Sequence, residues 1–130
     1  MRVRGPIDRV LAKAQRDPRL LAVLVFGSVA RGDATAHSDI DVCLVLGAGR
    51  YTPLETSRIK IEYLAEADLD IQVFQQLPLY VRHRVLKEGQ VVFSRDDDAL
   101  YELAYRTARA FERFKPIYHT YLDEVAGARS

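Results

Sequence analysis

Six residues carry most of the chemistry legible in this chain. Gly27-Ser28-Val29-Ala30-Arg31-Gly32 is followed, with ten residues between Ser28 and Asp39, by Ser38-Asp39-Ile40-Asp41. On a strand, residues two apart face the same side and stand about 7 Å apart, so the carboxylates of Asp39 and Asp41 can converge on one ion while Ile40 turns into the core. Paired carboxylates repel unless a cation neutralises them. A hard, oxygen-seeking ion such as Mg²⁺ does this and keeps coordination sites for phosphate oxygens. Gly27 sits where an apolar run stops and lets the backbone approach a ligand. Ser28 is placed to cap a short helix whose free N–H groups would receive polyphosphate. Arg31 reads equally as a further phosphate ligand or as a solvated surface arginine. A third carboxylate, Asp70, heads Asp70-Ile71-Gln72-Val73-Phe74 and is expected to face the same crevice as Asp41. Asp68 shares its parity and is the rival; Asp70 lies deeper in the apolar run. Together these residues would hold two metal ions, about 3.5 to 4 Å apart, beside a nucleoside triphosphate, the equipment for nucleotidyl transfer with pyrophosphate leaving.

These groups need a sheet to hold them. Leu20–Phe26 and 40–46 are continuous apolar runs bounded by Gly27 and Gly47, the pattern of paired strands buried on both faces. Ile7, Val10, Leu11 and Ala14 predict a first helix. Thr52-Pro53-Leu54-Glu55 predicts a capped helix over 53–66 with Leu54, Ile61, Leu64 and Ala65 as its apolar stripe. Leu69 to Phe74 predicts a third strand. Pro78 opens a helix with Leu79, Val85 and Leu86 on its apolar side, and Gly89 ends it. Val91 to Phe93 is a short edge strand. A long helix starts at Asp96 and is broken by Pro116 ahead of Ile117 to Ala126. The expected architecture is α/β (α+β), a small mixed sheet packed with helices plus a C-terminal helical tail. At 130 residues it is read as one domain, with a catalytic core over about 1–95 and the tail over about 96–130.

Composition narrows the partners. Nineteen basic against 18 acidic residues leave a net charge of +1, which speaks against a dedicated nucleic-acid binder. No apolar run approaches the ~20 residues of a membrane span, and no signal-peptide pattern opens the chain, so the expected location is the cytoplasm. Cys43 stands alone, excluding an internal disulfide and a cysteine zinc cage, and its apolar neighbours make it an inert core residue. His37, His83 and His119 show no metal-ligand spacing and read as surface or turn residues. Asp96-Asp97-Asp98 reads as negative charge capping a helix start, because consecutive residues do not share a helix face. Arg106, Arg109 and Arg113, flanked by Tyr101, Tyr105 and Tyr118, form either a solvated helix face or a surface for a protein partner.

Four fixed residues at fixed spacing arise by chance in about 0.3% of chains this long, given average usage near 7% per residue type. The string GSVARGDATAHSDIDV resembles the Gly-Ser-x10-Asp-x-Asp signature of the polymerase-β-like nucleotidyltransferase superfamily, and specifically its minimal nucleotidyltransferase (MNT) branch. The resemblance extends over about residues 20 to 95 and includes Asp70 on the later strand. It implies a polymerase-β-like fold, nucleotide binding by Gly27 and Ser28, and metal binding by Asp39, Asp41 and Asp70. Members of that branch are antitoxins of HEPN ribonuclease toxins, which they silence by moving AMP from ATP to a tyrosine hydroxyl; the resemblance implies the same here. Left open beside it are a small-molecule or RNA acceptor, and an antitoxin that works by contact alone.

Overall fold

The computed structural model describes residues 6–26 and 41–128. Strands β1 (Leu20–Phe26), β2 (Asp41–Leu46), β3 (Asp70–Val73) and β4 (Gln90–Ser94) form one mixed sheet in the order β3-β2-β1-β4. β1 runs antiparallel to β2 and to β4, whereas β2 and β3 are parallel. A parallel pair requires a crossover connection. Helix α2 (Pro53–Leu64) supplies it, followed after β3 by a 3-10 turn, Phe74–Gln76. The remaining helices are α1 (Pro6–Arg16), α3 (Leu79–Glu88) and α4 (Asp97–Ala128).

Alternation along the strands sends side chains to two apolar layers. Val23, Val25, Val42, Leu44, Ile71 and Val73 meet Ile7, Val10 and Ala14 of α1 and Ile59 and Tyr63 of α2. Ala22, Leu24, Cys43 and Val45 meet Phe74 and Val85, with Leu100 and Leu103 of α4 packed behind. Both strand faces are covered, which is why the sequence shows unbroken apolar runs in β1 and β2.

The predicted cap of α2 is present. Thr52 Oγ1 accepts from the Glu55 backbone N–H at 3.1 Å, and the Thr52 N–H donates to Glu55 Oε1 at 3.3 Å. The predicted stripe is on the wrong side. Leu54, Ile61 and Leu64 are 63%, 64% and 41% exposed, while Thr56, Ile59 and Tyr63 are buried. Two of the inward residues carry hydroxyls, so a reading of hydropathy assigned them outward. Burial is possible because each hydroxyl has a partner. Thr56 Oγ1 donates to the Pro53 carbonyl at 2.9 Å and accepts from Gln76 Nε2 at 2.8 Å. Tyr63 Oη donates to Asp17 Oδ2 at 2.9 Å.

A second correction concerns Pro116, which lies inside a continuous α4 instead of ending it. Proline removes one backbone bond, to the carbonyl four residues earlier. That residue, Glu112, is exposed, so water can satisfy its carbonyl. The strand and helix limits also shift slightly. Phe74 turns into the 3-10 segment, α2 ends at Leu64, and α4 starts at Asp97 with Asp96 Oδ1 accepting from the Ala99 N–H at 3.1 Å. The capping role read for the aspartate run thus holds for Asp96.

Arg95, unsignalled in sequence, ties the layers together. Its side chain donates to the carbonyls of Leu20 at 2.9 Å, Ala14 at 2.7 Å, Gln15 at 3.1 Å and Asp17 at 3.1 Å. The last carbonyls of α1 thereby gain partners, and a cation sits at the negative end of that helix. Among the described residues, no helix is long and apolar enough to cross a membrane.

Candidate active site

In the parallel ladder Asp41 stands opposite Asp70, Val42 opposite Ile71, and Cys43 opposite Gln72. Neighbouring strands are about 4.8 Å apart, and laddered residues project to the same face. The two carboxylates therefore head one face of the sheet. It is the face that carries Cys43, Leu24 and Ala22 and is covered by α3 and α4. Phe26, the last residue of β1, pairs with Asp41, so the row reads Asp70, Asp41, Phe26. Asp70 is exposed and Asp41 half-buried, at the rim where an apolar core gives way to water.

Gly27 and Ser28 follow Phe26 directly in the chain, and Asp39 precedes Asp41 by two residues. Gly27, Ser28, Arg31, Asp39, Ile40 and His37 lie outside the described residues. Asp68, the rival carboxylate, comes before β3 and takes no part in the ladder. The oxygen donors that are described, Asp41 and Asp70, form a side-by-side pair of hard anionic ligands. Their chemistry fits a divalent cation of the Mg²⁺ class. Among the described residues, no group of three or more His, Cys, Asp or Glu is gathered for a metal.

One polar residue of this region was not singled out in sequence. Gln72 Nε2 donates to Asp70 Oδ1 at 3.2 Å. A lone glutamine in a strand belongs to no motif, and only the period-2 spacing from Asp70 hints at it.

The other titratable groups have structural work. Burial pushes the Cys43 thiol up to about 12, so it stays protonated and unreactive at neutral pH. His83 is more than a surface residue: its ring stacks on Phe111 of α4 at 4.1 Å between centroids. Tyr101 and Tyr105 are exposed, and Arg109 Nη1 donates to Tyr105 Oη at 3.0 Å. Asp17 lies beneath the sheet, where burial raises its carboxyl pKa. Hydrogen bonds from the Arg19 side chain, the Arg19 backbone and Tyr63 outweigh that and hold it below the ordinary carboxylate range.

A cavity of about 520 Å³ lies between the Leu46–Gly49 segment, Gln75 and the start of α4. It opens at the other end of the sheet from Asp41 and Asp70, since it meets the last residue of β2 and they begin β2 and β3. Asp96, Asp98 and Glu102 line it together with Arg106, which leaves the lining net negative.

The family model described as Polymerase beta, Nucleotidyltransferase matches residues 9–98. The Methanocaldococcus jannaschii protein MJ1547, named as a protein adenylyltransferase, is 36% identical over 89 residues, 68% of this chain and 66% of that protein. The aligned part thus spans just under two thirds of this relative's length. A chain in the crystal structure of a toxin-antitoxin with AMP-PNP superposes with a TM-score of 0.69 at 18% identity, over 89% of this chain and 95% of that one. A chain in the structure of a tri-AMPylated Shewanella oneidensis HEPN toxin in complex with MNT antitoxin gives 0.65 at 16% identity, over 90% and 93%. At these identities the likeness is one of fold, the polymerase-β-like α+β fold expected from the motif. A family model matching well over half of the sequence, together with two carboxylates laddered at one sheet end, establishes that the chain belongs to the polymerase beta nucleotidyltransferase family.

Proposed function

We propose that this protein is a Mg²⁺-dependent nucleotidyltransferase antitoxin that moves AMP from ATP to a tyrosine hydroxyl of a partner HEPN ribonuclease toxin and thereby silences it. The observation that carries the chemistry is the register of Asp41 against Asp70. The names of the relatives support the acceptor: one is named a protein adenylyltransferase, and one shared fold belongs to a complex containing a tri-AMPylated HEPN toxin.

Asp39, Asp41 and Asp70 would hold the metal, as two ions, and Gly27, Ser28 and Arg31 the phosphates of ATP. Bound Mg²⁺ would neutralise the acidic row and polarise the phosphoryl oxygens. The acceptor oxygen attacks the α-phosphorus in line, and the bond from that phosphorus to the α,β-bridging oxygen breaks. Pyrophosphate leaves, and the hydroxyl proton passes to a carboxylate oxygen of Asp70 and on to water. The rim around Asp70 suits that transfer, because the residue is open to water. Holding the acceptor and the α-phosphorus in one place supplies the rest of the rate.

The test is incubation with α-labelled ATP, Mg²⁺ and a HEPN toxin, with the mass of the toxin read before and after. Whole nucleotidyl units on the toxin, absent with Asp41→Ala and with Asp70→Asn, are expected. Toxin that is neutralised without label, equally well by Asp41→Ala, refutes the transfer and leaves binding as the mode of action.

A further inference from the structure

We propose that Gln72 is a positioning residue that fixes the Asp70 carboxylate for metal binding; the proposal rests on the active-site reading above. On the face that carries the acids, the second row of the sheet is Gln72, Cys43 and Leu24. Cys43 is 0% and Leu24 1% exposed. An apolar residue would be the ordinary occupant of the third place. A glutamine stands there instead, and its amide is directed back along the strand, Nε2 donating to Asp70 Oδ1 at 3.2 Å. One Asp70 oxygen, Oδ1, is thereby held in place. Among the described residues, β3 sits at the edge of the sheet with β2 as its one strand neighbour. Among the described strands none lies on the far side of Asp70, and the Gln72 amide restricts the rotation of its side chain. Partners that orient a metal-binding carboxylate in this way typically change metal affinity by about 10- to 100-fold. A 3.2 Å bond at a wet rim places Gln72 near the lower figure.

The experiment uses the full chain without nucleotide and titrates MnCl₂, reading free Mn²⁺ by its EPR signal. Gln72→Met keeps the length of the side chain and removes the donor; Gln72→Leu removes the donor with a shorter apolar side chain. Both are expected to weaken Mn²⁺ binding about tenfold, with the urea midpoint within error of the parent. In the transfer assay both should raise the Mg²⁺ concentration needed for half-maximal rate and leave the KM for ATP in place, a split that general loosening of the strand would not produce. Mn²⁺ affinity unchanged in Gln72→Met, while Asp70→Asn loses it, overturns the assignment of Gln72 alone. Mn²⁺ affinity unchanged in Asp70→Asn overturns the metal site itself and the role of Gln72 with it.

Discussion

Replacing Tyr63 by Phe deletes a single oxygen from a fully buried position and tests the network beneath the sheet. Tyr63 is 0% exposed and Asp17 9%. The Asp17 carboxylate accepts from Arg19 Nε at 2.9 Å, Arg19 Nη2 at 2.8 Å, the Arg19 backbone N–H at 3.1 Å and Tyr63 Oη at 2.9 Å. Without the phenol, Oδ2 keeps one partner and Oδ1 keeps two. A hydrogen bond to a charged group contributes about 1.5–3 kcal/mol, and the survival of the Arg19 bonds places this loss near the lower end. About 1.5–2 kcal/mol corresponds to a Tm lower by roughly 6–8 °C for a chain of this size. The pH dependence follows from the depressed Asp17 pKa. A carboxyl held below its unfolded value of about 3.9 contributes stability that is fully present above that value and is lost as pH falls through the folded one. Urea melts of the parent, Tyr63→Phe and Asp17→Asn at pH 7 and pH 3 check both parts. The Asp17→Asn deficit should be full at pH 7 and shrink at pH 3. A Tyr63→Phe midpoint equal to the parent at pH 7, or an Asp17→Asn deficit that does not change with pH, refutes the account.

Three further outcomes are expected. Gly89→Ala should lose about 1–3 kcal/mol in urea melts, because its Cβ would run into the Val85 carbonyl oxygen and press on Leu24 Cδ2. Ile61→Lys should leave stability within about 0.5 kcal/mol, whereas Ile59→Ala, two residues away in sequence and 3% exposed, should cost about 2–5 kcal/mol. The native Cys43 thiol should resist alkylation at pH 8 and react only after denaturation, as its burial and raised pKa require.

The strands were legible because β1 and β2 are covered on both sides and therefore contain nothing but apolar residues between their ends. Asp70 was legible as the partner of Asp41 because it heads an apolar run; parity alone left Asp68 as its equal. Helix α2 shows where hydropathy fails. Its inward face holds Thr56 and Tyr63, whose hydroxyls bond to groups distant in sequence, Gln76 and Asp17. Nothing local announces those partners. Arg95 is hidden likewise, since its acceptors are carbonyls of residues 14 to 20, and any residue type could supply them. Pro116 misled because a helix-breaking residue is tolerated where the freed carbonyl reaches water. Gln72 was passed over because an amide acquires meaning only from what it touches.

The acid at the margin of the sheet has a thermal consequence. β3 is four residues long and bonded along one side, whereas β1 has strands on both flanks. Local opening favours such margins over interior strands. Detaching β3 would carry Asp70 away from Asp41 while β1 and β2 stay joined, so on warming the proposed Mn²⁺ binding at this row should fade before the central strands come apart.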